Sequence, residues 1–131
     1  MNRIVDLPIA ASRLPMWMCC LYGARGFLHW GYHRHNPEGR EDVGFHATES
    51  RDYPPGNSFV VYNGDGRPWY SVRGHAQRTG AEDAELLLQL QKKNKELANT
   101  IIRKVCRSFE DYESSAALLD EARHELLEAL G

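Results

Sequence analysis

In "HWGYHRH", residues 29–35, three histidines and two further aromatic rings follow directly on the apolar "GFL". Imidazole is the commonest nitrogen donor to transition metals, so His29, His33 and His35, with His46 further on, are the first chemistry to weigh. Their spacing argues against a metal. His29 lies inside a short apolar run and His33 beyond its end, so the two need not converge, and no cysteine or carboxylate stands at a recognised ligand spacing. We expect no metal site and no cofactor. Trp30, Tyr32 and Trp69 carry a different chemistry, because a flat ring where a strand opens into a loop can stack on the apolar face of a sugar or another planar ligand.

Other reactive residue types form weaker patterns. "EDAE", residues 82–85, offers adjacent carboxylates, but Glu82 and Asp83 would project about 100° apart around a helix, and such runs are usually solvated or salt-bridged faces. Cys19 and Cys20 have no histidine assigned to activate them, and with Cys106 they make an odd set without disulfide or zinc spacing; reduced, mostly buried thiols are expected. "NGDG", residues 63–66, lacks the lysine and following helix of a phosphate loop and reads as a turn. Asp42, Glu49 and Asp52 lie in a long polar loop, where acid/base work would lack rigid support. No catalytic residue is assigned.

The elements that position these residues follow from periodicity. Between Leu7 and Tyr22, Leu14, Trp17, Met18 and Leu21 recur at helical spacing, with Asp6 as a cap, Pro15 as a kink or restart, and Gly23 as the stop. "GFLHW" predicts a strand at Phe27 to Trp30, apolar enough to be buried on both faces. Residues 33–57 read as loop; Phe59 to Tyr62 reads as a second strand, with a hairpin to Tyr70 whose second arm contains Pro68. From Ser71, an N-cap, the pattern is helical, with Gly74 and Gly80 marking close backbone packing. Leu86, Leu90, Leu97, Ile101 and Val105 hold one face, and a break is expected near Asn94. Ser114 or Ser115 caps a last helix with a stripe of Leu118, Ala122, Leu126 and Leu130, leaving Asp120, Glu121, Arg123 and Glu125 in water. The fold class is α/β, mainly helical by content, with two short strands and three to four helices.

The 131 residues suit a single domain or a piece of one. Sixteen basic against eighteen acidic residues, a net charge of -2, give no surplus for a phosphate backbone, so no nucleic-acid partner is expected. Asp6, Pro8, Arg13 and Pro15 break up the N-terminal apolar stretch, which predicts neither a signal-peptide core nor a membrane span. The chain reads as soluble, without a visible address, and its cysteine usage suits the cytoplasm.

Taken in order, "IVDLPIAASRLPMWMCCLYGARGFLHWGYH", "PPGNSFVVYNGDG" and "SVRGHAQRTGAEDAELL" resemble the C-terminal part of the catalytic domain of glycoside hydrolase family 123, also catalogued as a domain of unknown function in bacterial proteins. The resemblance implies a (β/α)8 barrel. Asp6 to Tyr22 resembles a late barrel helix, "GFLHW" a late strand and Ser71 to Leu90 the closing helix, so residues 1–70 hold the late helix, strand, loop and second strand, and 71–131 the closing and C-terminal helices. It further implies β-N-acetylgalactosaminidase-like chemistry. In that chemistry the substrate's acetamido group is the nucleophile, and an adjacent Asp and Glu, on a strand upstream of the matching blocks, orient it and supply the acid. The sequence departs from the pattern at His33, where relatives commonly carry asparagine, at His35, at Gly56-Asn57 and at Ala84. Since such barrels place their sites at the carboxyl ends of strands, Trp30, Tyr32 and His33 are the implied sugar-binding residues.

Two functions are therefore expected. One is a carbohydrate-active barrel portion that is not catalytic alone and meets a glycan and the remainder of the barrel. The other is a small helical domain that self-associates or binds a partner through its uncovered strands.

Overall fold

The computed structural model describes residues 4–33, 56–57, 60–63 and 66–131. A 3-10 turn, Ile9–Ser12, leads into helix α1, Leu14–Tyr22; strands β1, Val61–Asn63, and β2, Pro68–Tyr70, form an antiparallel hairpin; helices α2, Val72–Lys93, α3, Lys95–Val105, and α4, Ala116–Leu130, follow. Among the described residues this is a mainly helical α/β arrangement of four helices and one two-stranded sheet.

Local chemistry explains most helix boundaries. Pro15 restarts the chain as a helix, since a proline in the first turn forfeits an N–H that has no intrahelical partner. The cap expected at Asp6 falls on Pro8 instead, at the head of the 3-10 turn and without a side-chain bond. Gly23 ends α1 in the left-handed region, φ 69°. Ser71 accepts a hydrogen bond from the Gly74 N–H at 3.1 Å and starts α2. Asn94 both closes α2 and opens α3, its side-chain oxygen accepting from Leu97 N–H at 3.1 Å. Between α3 and α4, Arg107 grips Asp111 and Glu113, and the Arg107 hydrogen bond holds the Asp111 carboxyl below its ordinary range.

The helices bury one apolar cluster: Leu14, Trp17 and Met18 of α1, Leu87 and Leu90 of α2, Ala98, Ile101, Ile102 and Val105 of α3, and Leu119, Ala122 and Leu126 of α4, with Ala10, Cys20 and Cys106. On α4 the expected Ala122 and Leu126 are buried and Leu130 packs against the cluster, but Leu119 joins them in place of Leu118, which is exposed, because α4 packs against α3 and α2. On α2, likewise, Leu87 rather than Leu86 is fully buried beside Leu90.

The strand expected at Phe27 to Trp30 is absent. The segment runs without regular structure, and Leu28 is 92% exposed. A strand needs a neighbouring edge to pair with, and among the described residues the only strand ladder is the hairpin. The second expected strand is shifted to Val61–Asn63, and Phe59 lies outside the described residues.

Gly80 sets how closely the N-terminal turn meets α2. A Cβ there would lie 2.5 Å from the Arg13 carbonyl oxygen and 2.9 Å from its Cα, both backbone atoms that cannot swing aside. Alanine in place of a helical glycine ordinarily stabilises by roughly 1 kcal/mol. Gly80→Ala is expected to reverse that sign and destabilise by about 1–3 kcal/mol through forced separation of the two backbones. Urea denaturation checks it, and a Gly80→Ala chain as stable as the parent or more so would refute the close-packing argument.

Candidate functional site

The aromatic segment starts where α1 stops. After Gly23 the chain passes through exposed Phe27, Leu28 and Trp30 to exposed Tyr32 and His33. Two contacts hold it. The Tyr32 carbonyl accepts from Val60 N–H at 2.8 Å and from Val61 N–H at 3.4 Å, tying the segment to the base of the hairpin. The Gly31 N–H donates to Nδ1 of His29 at 3.2 Å, and the His29 and Trp30 rings lie 6.3 Å apart between centroids. His29 is therefore engaged locally, and among the described residues no group of three metal-ligating side chains forms.

The hairpin carries a second pair of rings. Tyr62 pairs with Trp69 and Val61 with Tyr70, so Tyr62 and Trp69 share one face of the ladder. Trp69 and Tyr70 are both exposed. Beneath them Arg73, buried in the first turn of α2, donates from Nη1 to the Gly56 carbonyl at 2.8 Å and from Nη2 to the Tyr62 hydroxyl at 3.0 Å. Gly56 has φ 78°, and a Cβ there would fall 2.4 Å from Arg73 Nη1. Pattern reasoning does not single out Arg73, although it carried a signal. A cation in the first turn opposes the helix dipole, so it calls for a tertiary partner.

Trp30, Tyr32 and His33 thus stand together on one exposed segment beside the hairpin that carries Trp69. The carboxylates do not join them. Glu82 is exposed and pairs with Arg78 at 3.1 Å, whereas Asp83 has no solvent exposure at all. Of the two readings of "EDAE", a solvated or a salt-bridged face, Asp83 takes the salt-bridged one, and it is buried. Its Oδ2 accepts from Arg13 Nε at 3.2 Å, Arg13 Nη2 at 2.9 Å and Trp17 Nε1 at 2.9 Å, and its Oδ1 accepts from Arg123 Nη1. Asp120 closes the group by accepting from Arg13 Nη1 at 2.6 Å. Asp120 stays exposed, as expected, while pairing with Arg13; Arg123, expected in water, is instead partly buried and ion-paired with Asp83. Burial opposes the Arg13 charge, but the hydrogen bonds it donates to Asp120 and Asp83 outweigh it and raise its pKa. A carboxylate with this many donors is an anchor and not a proton acceptor for substrate. Asp42, Glu49, Asp52, His35 and His46 lie outside the described residues.

A cleft of about 400 Å3 opens between the end of α1 and α2, lined by Met16, Cys19, Cys20, Glu85, Leu88 and Gln91 among others. Its thiols are not poised nucleophiles. Burial, reinforced by Cys19 and Glu85, pushes Cys20 up to about 11, and burial pushes Cys106 up to about 12. All three cysteines are free.

These features define a mainly helical α/β protein that displays aromatic rings along one exposed segment. Residues 1–90 match the family model described as the glycoside hydrolase 123 catalytic domain, and the chain belongs to that family. No curated protein matches it. Among the described residues, no helix is long and apolar enough to cross a membrane.

The thiol environments carry a pH dependence of defined sign. The native state holds Cys20 and Cys106 protonated to about 11 and about 12, whereas thiols in the unfolded chain ionise near their ordinary value of about 8.5. Their contribution to stability is complete below that ordinary value and is lost as pH rises toward the native ones. Denaturation midpoints are expected to fall between about pH 9 and 12, and replacing Cys20 and Cys106 with alanine should flatten that slope. Alkylation at pH 7.5, read by mass spectrometry, should modify partly exposed Cys19 before the other two; faster labelling of Cys106 would contradict the burial argument.

Proposed function

We propose that this chain is the C-terminal portion of a family 123 (β/α)8 barrel and supplies part of its sugar-binding rim. In this reading Trp30 and Tyr32 stack on an N-acetylated hexosamine and His33 contributes a polar contact. The acid and the orienting carboxylate come from an earlier strand of the barrel, on chain outside this sequence, so the 131 residues bind without hydrolysing. The observation that carries the reading is the family match over residues 1–90 taken with the apolar row Phe27, Leu28 and Trp30, which stands exposed where a barrel strand would be covered by its neighbours.

A second reading is supported by a separate observation. Among the described residues, the main apolar cluster is made by helices and their flanking turns and takes no residue from the hairpin. A helical domain of this kind can stand alone and use its exposed aromatic segment to meet a second copy of itself or a protein partner.

Titration of the 131-residue chain with N-acetylgalactosamine, followed by tryptophan fluorescence and by methyl and amide shifts, separates the two. Millimolar binding is expected, lost at least tenfold in Trp30→Ala and in Tyr32→Ala, with no release of chromophore from a chromogenic 2-acetamido sugar. Turnover by the chain alone would overturn the non-catalytic role. Absence of sugar-induced shifts, together with a melting temperature that rises with protein concentration, would favour the self-associating domain.

A further inference from the structure

The family match ends at residue 90, three residues before the end of α2, yet more than half of the buried apolar cluster lies beyond that point, on α3, its C-cap Cys106 and α4. We propose that residues 95–130 form an intramolecular cap on which the family-matched segment depends, and that the buried Asp83 carboxylate is the point at which the cap is recognised.

The division of labour at Asp83 supports this. Oδ2 is filled by donors from the matched segment, Arg13 and Trp17. Oδ1 is met by Arg123 of α4. Without the cap, a carboxylate with no solvent contact would lose the donor to its Oδ1, and Arg13 would lose Asp120. Ile101, Ile102 and Leu126 would also leave Leu14, Trp17 and Leu87 facing water. The cap therefore contributes both the counter-charge and the apolar cover at the same place. Gln91 strengthens the joint, its amide nitrogen lying 3.2 Å from the Cys20 carbonyl and 3.2 Å from Asn99 Oδ1 of α3, so that α1, α2 and α3 meet through one side chain.

The dependence has a functional consequence. Asp83 and Arg73 lie on the same helix, and Arg73 holds the hairpin through Tyr62 and Gly56. Fixing α2 at its middle steadies the first turn from which the aromatic hairpin is carried. The inference does not rest on sugar binding, and its test contains no sugar.

Hydrogen exchange of the full chain, under conditions where rates report opening equilibria, tests it. In the parent chain, the most protected amides of α1 and α4 are expected to exchange with the same opening constant, within about threefold. Arg123→Gln should raise exchange about 10- to 100-fold in both helices together, since one partner of a buried charge is removed. Arg123→Lys should recover part of the protection, because it restores the charge without the planar fork. The double variant Asp83→Asn with Arg123→Gln should lose less than the two single losses combined. Faster exchange confined to α4, with α1 and the N-terminal half of α2 unchanged, would overturn the proposal by showing that the cap is a separable appendage. Unchanged exchange everywhere in Arg123→Gln would overturn the role of Asp83 as its recognition point. Arg123 is partly exposed, so this variant does not bury an unsatisfied group of its own and remains a usable test if Asp83→Asn fails to fold.

Discussion

A carboxylate held out of water must have its charge met by donors from the protein, and at Asp83 those donors come from three parts of the chain. Arg13 arrives from the turn before α1, Trp17 from α1 itself and Arg123 from α4, while Asp83 sits midway along α2. Placing these donors around one point restricts α1, α2 and α4 at once. An apolar contact tolerates sliding by an ångström; a fork of guanidinium nitrogens on a carboxylate does not. Stability need not be the main gain, since a buried ion pair recovers little more than the cost of desolvating it. Its effect here is to fix the relative placement of helices whose apolar faces alone would permit several registers.

Gly80 shows how the backbone accommodates this arrangement. It lies three residues before Asp83, hence nearly one turn away on the same face of α2, and it has no side chain where the Arg13 backbone presses in. That approach brings the Arg13 guanidinium within reach of Asp83. The glycine and the carboxylate are two halves of one contact. The apolar cluster of α1, α2, α3 and α4 then closes around it.

At the other end of α2 a second buried guanidinium, Arg73, does comparable work on a smaller scale by holding the Tyr62 hydroxyl and the Gly56 carbonyl. One long helix thus links the ion-paired core to the hairpin, and through the Val60 and Tyr32 backbone contact to the segment that carries Trp30. Membership of glycoside hydrolase family 123 gives that chain of contacts a context, because the matched residues 1–90 include the aromatic segment, the hairpin and most of α2.

Much of this was legible from residue order alone. Proline and glycine punctuation, serine and asparagine caps and 3.6-residue periodicity act within a few residues, so Gly23, Ser71, Asn94 and the hairpin arm containing Pro68 appear where local chemistry puts them. The resemblance to family 123 rests on ordered blocks of sequence and needed no coordinates. Other features depended on neighbours far away in the chain. "GFLHW" has a strand's composition, but a strand exists only where another edge can pair with it, and among the described residues none does. On α4, Ala122 and Leu126 are buried as their spacing predicts, but whether Leu118 or Leu119 joins them is settled only by the packed partners, and it is Leu119. Asp83, alike in type to its exposed neighbour Glu82, became the buried centre because donors 70 residues upstream and 40 downstream converge on it. Sequence determined which residues could be caps, turns and rings; tertiary structure decided which charge was taken out of water, since that depends on where its counter-charges come to rest.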